Sequence, residues 1–278
     1  MKYIALLLFL LMPVNLNASE REAISLVAAE PYDLINFPKS KDQIFNQCLS
    51  KYRSEKVKSD SICKNQGYGT YWICPKGLKL RLDSINQCQS SYEKVSEKNA
   101  YLYLLGLLHR DQNFQTDPRT RYCPEYYRYQ EGSAVCVYTN MHFEELKSDF
   151  PKSKYADMAT YNLAKKAYRY YECEGQVLCR ITNEITGWIA YLKERPISTY
   201  SDLAVDKIVS SLENIKTTKF SKGESPSYFL SDYKTLAKIS EQVTLQNSKK
   251  LTTIMSDTRP ILLKLEVELN EYRQKRQK

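Results

Sequence analysis

Glycine and histidine are scarce in this sequence, which has 8 glycines and 2 histidines among 278 residues. Barrels, sandwiches and nucleotide-binding folds need many tight turns, so the shortage of glycine argues against them and predicts an all-α protein. The P-loop, GxGxxG, G-x-S-x-G and HExxH patterns are also missing. His109-Arg110-Asp111 copies three letters of a kinase loop without the accompanying glycine loop and magnesium motif.

We therefore expect no enzyme, no cofactor and no metal. A glycosidase needs only two carboxylates and leaves no such motif, so that class stays open. The sequence has 41 basic and 32 acidic residues, a formal net charge of +9. Such a balance favours anionic partners, for example lipopolysaccharide, teichoic acid or an acidic protein face. The alternative is that the lysines solvate helix faces, since the charges are spread among acidic residues, and no basic run resembles a nucleic-acid patch.

Only one long apolar run is present, from Tyr3 to Val14, behind a single lysine and before a polar stretch that ends at Ala18. The run is shorter than the roughly twenty residues of a membrane span. It predicts a secretory signal peptide at residues 1–18 rather than a membrane anchor. We expect the mature chain to be periplasmic or secreted, with no membrane span.

The most informative segment, residues 143–215, contains one pattern twice at an offset of 45 residues. The copies are Pro151, Ser153, Tyr155, Asp157, Ala159 and Pro196, Ser198, Tyr200, Asp202, Ala204. Apolar residues around each copy follow one helical stripe, which predicts a helix, a proline turn and a second helix. The serines suit helix N-termini, and the aspartates suit the first turn. Side-by-side packing of two such hairpins predicts a solenoid.

The blocks FPKSKYADMATYNLAKKAY and RPISTYSDLAVDKIVSSL resemble the tetratricopeptide-like repeats of bacterial periplasmic proteins. These include the outer-membrane assembly lipoprotein of the β-barrel machinery and the Tol-associated cell-division coordinator. The resemblance implies a TPR-like α-solenoid with a role in cell-envelope assembly or division in a Gram-negative bacterium. This chain departs from the pattern in its longer offset, its cysteines and the lack of a lipid-accepting cysteine after the signal segment.

Eight cysteines follow the signal segment, and an even count in an exported protein implies disulfides. The motif N-Q-C-x-S-x-Y surrounds both Cys48 and Cys88, and with Cys63 and Cys74 these lie almost symmetrically about the loop KNQGYGTYWI. Residues equidistant from a loop face each other in antiparallel helices. We therefore predict Cys63–Cys74 near the tip and Cys48–Cys88 further away, with the sequential pairs 48–63 and 74–88 as the alternative.

The remaining cysteines flank short segments, so Cys123–Cys136 and Cys173–Cys179 are predicted to clamp local loops. Each closed loop stabilises the fold by about 2–3 kcal/mol on the loop-entropy model. The apolar segment Ala100 to His109 predicts a helix buried on several sides. After a linker, two further helices are expected near Tyr228 to Gln246 and from Pro260 to Arg273. Their apolar contacts would come from Leu262, Leu265, Val267 and Leu269.

Tyrosine is the outlier of the composition, with 23 residues. Two concentrations stand out, one around the YYRY run and one at Tyr168, Tyr170 and Tyr171. Tyrosines of stacked helices pack inside, but a YYRY run within a clamped loop has too many rings for all to be buried. Because Tyr and Arg concentrate binding energy at interfaces, we predict a binding face at Tyr126, Tyr127, Arg128 and Tyr129.

These observations predict four segments: signal peptide 1–18, disulfide-linked helical region 19–136, two TPR-like repeats at 137–216, and a linker with a C-terminal helical pair at 217–278. The leading hypothesis is an exported scaffold that binds a protein or peptide partner in the cell envelope. One alternative is a binder of anionic glycan or cell-wall polymer, which would lose its ligand steeply with salt. Another is an immunity or inhibitor protein against a secreted toxin.

Overall fold

The computed structural model describes residues 34, 36–65, 74–112, 114–115, 122–130, 135–165, 173, 176–220 and 226–277. Helices dominate this part of the chain, with one short 3-10 turn at Tyr92–Lys94 and a small sheet between the third and fourth α-helices. In chain order the elements are α1 Gln43–Asn65, α2 Pro75–Ser90, α3 Lys98–Arg110, β1 Phe114–Gln115, β2 Tyr127–Gln130, β3 Val135–Tyr138, α4 Met141–Asp149, α5 Lys154–Lys165, α6 Val177–Glu194, α7 Ser201–Thr217, α8 Ser227–Ser240 and α9 Leu245–Gln277.

Four predicted features lie outside these described residues. They are the signal peptide at 1–18, most of the loop KNQGYGTYWI, the tyrosines at 168, 170 and 171, and the centre of the linker before α8. None of the helices that the structure does describe combines the length and apolarity that a bilayer crossing requires.

Helices α1 and α2 are tied together by the nested pair of disulfides. Cys48 and Cys88 are joined with their Cα atoms 5.4 Å apart, and Cys63 and Cys74 with theirs 5.2 Å apart. Close approach of the helices is needed at Gly77, where an added Cβ would lie 2.4 Å from the Cys63 sulfur. The nested pairing, and not the sequential one, is therefore the one present.

The other predicted pairs, Cys123–Cys136 and Cys173–Cys179, are also bonded, so all eight cysteines are consumed. Four disulfides are typical of proteins that fold in an oxidising compartment outside the cytoplasm.

Helix α3 lies at the centre, as its apolar sequence predicts. Every residue from Ala100 to His109 is buried, and the helix packs against α4 and α5. Gly106 is the point of closest approach, because a Cβ there would lie 2.4 Å from the Phe143 ring of α4. The first residues of the described chain also reach this core, where Phe37 packs on Phe45 and Tyr103.

The two proline-broken hairpins are present as predicted, α4 with α5 and α6 with α7. The described residues between 143 and 215 form helices and turns, with no strand. At the seam, the Tyr161 ring of the first hairpin lies 4.9 Å from Trp188 and 5.8 Å from Tyr191 of the second. These three side chains are buried. The aromatic seam therefore joins the hairpins side by side.

The serine and aspartate of the repeated pattern form specific hydrogen bonds. Ser153 Oγ accepts a hydrogen bond from the Ala156 N–H at 3.1 Å, which caps the start of α5. The Asp157 carboxylate accepts a hydrogen bond at 2.7 Å from Tyr191 of the next hairpin. The equivalent Asp202 accepts one at 2.7 Å from Asn247 of α9. The signature aspartate of each hairpin is thus bonded to the unit that follows it.

Helices α8 and α9 pack against each other and form a third helical hairpin, with α9 against α7 and α8 against α6. In its main contacts, each α-helix packs against α-helices that are one or two positions away in chain order. The largely helical, disulfide-stabilised class is established by these elements. The more specific TPR-like solenoid stays a prediction.

Two details of the C-terminal prediction were wrong. Pro260 does not begin a helix, since it lies inside the single 33-residue helix α9. Proline removes one N–H from the helical ladder, but residue 260 is exposed, so water can bond to the carbonyl left without a partner. Val267, expected in the core, is 58% exposed, whereas Leu262 and Leu269 are buried as expected.

Candidate functional site

A short antiparallel hairpin carries the predicted binding residues, where the sequence interpretation expected only a clamped loop. Strands β2 and β3 pair with Tyr127 opposite Tyr138 and Arg128 opposite Val137, and the sheet order is β1-β3-β2. The Cys123–Cys136 disulfide ties the segment before β2 to β3 at the position opposite Tyr129, with Cα atoms 5.7 Å apart. We call β2, β3 and this disulfide the tyrosine hairpin.

Alternation along β2 separates the four predicted residues. Tyr127 is buried at 8% exposure, Arg128 is exposed, and Tyr126 and Tyr129 are half-buried. Just before the hairpin, Tyr122 is 72% exposed. Tyr127 therefore belongs to the inner support and not to a surface that a partner could contact. Tyr129 is two positions after Tyr127 and therefore lies on the inner side of the strand. The outward face comprises Tyr122 and Arg128, with half-buried Tyr126 at its edge.

The inner side of the tyrosine hairpin rests on the chain's two histidines. His109 of α3 and His142 of α4 are each 1% exposed, and their rings stack 4.9 Å apart at an interplanar angle of 14°. The Tyr126 ring covers both, with centroids 5.0 Å from His109 and 4.9 Å from His142. We call His109 and His142 the histidine pair.

Hydrogen bonds fix the protonation of His142. Its Nε2 lies 2.8 Å from Gln89 Oε1 of α2, which can only accept, so Nε2 carries the proton. Nδ1 then accepts from the Tyr138 hydroxyl at 2.8 Å, and the same hydroxyl oxygen accepts the His142 backbone N–H at 2.9 Å. His142 thereby connects α2 with the tyrosine hairpin.

His109 has fewer partners. The Tyr127 hydroxyl lies 3.1 Å from both its Nδ1 and its carbonyl oxygen, while its Nε2 is buried with no partner among the described residues. Burial, and then the neighbouring His142, lowers the pKa of His109 to about 3. Burial lowers the pKa of His142 to about 4. Burial likewise raises the pKa of Tyr127 and Tyr138, so the cluster is uncharged at neutral pH.

Tyr126, the residue just before β2, has a strained backbone. Tyr126 has φ 72°, a left-handed conformation that costs a bulky side chain on the order of 1–3 kcal/mol. Its carbonyl oxygen accepts from the Thr139 N–H at 2.9 Å and from the Thr139 hydroxyl at 3.0 Å. These bonds and the ring contacts with the histidine pair offset the strain. The Tyr126 ring is therefore held in one position.

Among the described residues, no group of His, Cys, Asp and Glu side chains could hold a metal ion. Both imidazoles are buried, so they have no access to a substrate in solution, and their Nδ1 atoms face tyrosine hydroxyls. The site presents the Tyr122 and Arg128 side chains outward and an uncharged polar support inward.

Sequence reasoning missed the histidine pair. The two residues are far apart in the chain and meet only because α3 and α4 pack together. The one available signal was the position of His109 at the end of an apolar segment. No protein-family model, curated protein or solved structure matches this chain.

Proposed function

We propose that this chain is an exported, non-enzymatic scaffold that binds a protein or peptide partner in the cell envelope through the tyrosine hairpin. The observation that carries the proposal is the exposed face of Tyr122 and Arg128 on a frame closed by the Cys123–Cys136 disulfide. Exported location rests on the four disulfides and on the signal-like segment of the sequence. A periplasmic site agrees with the resemblance to envelope repeat proteins.

Pre-organisation is the physical reason for choosing this face. A binding partner must otherwise bear the cost of ordering each side chain, about 0.5–1.5 kcal/mol for a flexible one. Here Tyr126 is fixed by its backbone bonds and by two stacked imidazoles. Tyr and Arg on such a frame provide large apolar area with polar ends, which is the composition of energetic centres in protein interfaces.

Site-specific photocrosslinking tests the proposal in cells that produce the protein. A benzophenone side chain replaces Tyr122, and a matched control carries it at Ile197, which is 73% exposed in the turn of the second helical hairpin. We expect a discrete crosslinked protein from position 122, lost when Arg128→Ala is added. Equal products from both positions, or a product that survives Arg128→Ala, would contradict the proposed face.

Salt separates this function from binding of an anionic polymer. With the crosslinked partner purified, affinity that rests on buried aromatic area should change little between 50 and 500 mM salt, values on either side of the physiological ~150 mM. An anionic glycan would instead be released steeply over the same range.

A further inference from the structure

The Cys173–Cys179 disulfide differs from the other three in its access to solvent. Both of its cysteines are half-buried. In each of the other disulfides at least one cysteine is almost fully buried, since Cys88 is 3% exposed and Cys74 and Cys136 are 0% exposed. An attacking thiolate must reach a sulfur atom, so the exchange rate of a disulfide depends on its access. Access therefore favours attack at Cys173–Cys179 while the protein stays folded.

Cys179 also lies where a thiolate is stabilised. It is the third residue of helix α6, Val177–Glu194. Within the described chain, the first turn of this helix has no acidic residue, and the N-cap residue Gln176 makes no side-chain capping bond. The positive end of the helix dipole and its uncapped N–H groups are thus available to an anionic sulfur. Because a stabilised thiolate leaves readily, cleavage that expels Cys179 is favoured.

The surroundings of Cys173 would hold it in place after the bond opens. The Asn183 side-chain amide of α6 donates a hydrogen bond to Cys173 Sγ at 3.2 Å, and the Gln176 N–H donates to the Cys173 carbonyl. The start of α6 is itself anchored, since Leu178 is 2% and Ile181 1% exposed. We therefore expect the opened form to stay folded, with its two thiols close enough to pair again.

We propose that Cys173–Cys179 is a thiol–disulfide exchange site, which a dithiol outside the cytoplasm opens reversibly while the other three disulfides stay closed. One thiolate of the dithiol attacks Cys173 Sγ, which forms a mixed disulfide and expels Cys179 as a thiolate that takes up a proton. The second thiolate then attacks the dithiol's own sulfur in the mixed disulfide, and Cys173 leaves and is protonated. Two electrons and two protons pass to the protein, and the dithiol becomes a disulfide. This proposal is independent of the tyrosine hairpin.

Timed alkylation of the disulfide-intact mature protein tests the proposal, with dithiothreitol as the dithiol at pH 7.5 and mass spectrometry of the peptides. We expect Cys173 and Cys179 to be alkylated at least about tenfold faster than the other six cysteines, because access differs. Circular dichroism should stay unchanged, and excess oxidised glutathione should close the bond again. With reduced glutathione, a monothiol, the trapped mixed disulfide should lie on Cys173 and the alkyl group on Cys179.

A matched pair of variants tests the contribution of the helix terminus. Gln176→Asp places a carboxylate that caps the first turn of α6 and competes with the Cys179 thiolate, so exchange should slow by about twofold to fivefold. Ala190→Asp adds the same charge at an exposed position near the other end of α6 and should leave the rate unchanged. Both replaced residues are exposed, so the fold should persist.

Four results would each overturn the proposal. They are opening of all four disulfides at the same rate, loss of the circular dichroism signal as Cys173 and Cys179 react, a mixed disulfide located on Cys179, and exchange in Gln176→Asp as fast as in the unaltered protein.

Discussion

Acid should destabilise this protein through the histidine pair. An unfolded histidine has a pKa near 6.5, while the folded values are about 3 for His109 and about 4 for His142. Between these values the unfolded chain binds protons that the folded chain does not, so stability falls as the pH falls. The stabilisation is complete above pH 6.5 and is lost progressively down to the folded pKa values.

The size of the loss in stability follows from the difference between the pH and the pKa of the unfolded histidine. At pH 5 each histidine is about 1.5 units below that value, and each unit corresponds to 1.36 kcal/mol, so each contributes a loss of about 2 kcal/mol. Together the two histidines lower the free energy of unfolding by about 4 kcal/mol, compared with the 5–15 kcal/mol typical of a folded domain. Glu145 and Asp157 act in the opposite sense, because burial raises the pKa of both carboxyls.

The assay is urea unfolding, followed by circular dichroism, at pH values from 7.5 to 4.5 with the disulfides intact. The double variant His109→Asn/His142→Asn cannot ionise, and subtracting its pH profile removes the carboxylate contributions. We expect the unaltered protein to lose about 4 kcal/mol more than this variant between pH 7.5 and 5. A difference below about 1 kcal/mol would refute the reasoning, since it would mean that the folded protein accepts the protons.

Three substitutions give further predictions, each measured by urea unfolding at pH 7.5. Tyr191→Phe should lower stability by about 1.5–3 kcal/mol through the lost bond to Asp157, and a change below 0.5 kcal/mol would contradict that role. Gly106→Ala should cost about 1–3 kcal/mol because its methyl meets Phe143, and Phe143→Leu added to it should restore part of the loss. Pro260→Ala should raise stability by about 1–3 kcal/mol, and a decrease would show that the proline suits α9.

The helical scaffold was readable from sequence because its signals are local. Proline stops the preceding helix, and Ser153 bonds to the Ala156 N–H within the first turn of α5. The nested disulfides followed from symmetry about one loop, since Cys48 and Cys88 are nearly equidistant from it. Pro260 was misjudged because proline usually marks a helix start, whereas an exposed position inside a long helix tolerates it.

The sequence also contains a pattern that predicts the tyrosine hairpin, although our sequence interpretation expected a loop there. YRYQ and VCVY, separated by EGSA, are short runs of aromatic and β-branched residues around a turn, which is a strand pattern. The histidine pair could not be found in this way. Its geometry depends on how α2, α3 and α4 meet, and no local spacing connects His109 with His142 or Gln89.

The placement of the disulfides has a mechanical consequence. The last cysteine is Cys179, so every covalent crosslink lies in the first two thirds of the chain. A tensile load applied at the two ends could extend the helices beyond Cys179 to their full contour length. The Cys48–Cys88 disulfide, with a sequence separation of 40, would instead prevent the segment between these cysteines from extending. The contour length excluded in this way is on the order of 140 Å. Reduction would release that length as a discrete step in a force-extension trace.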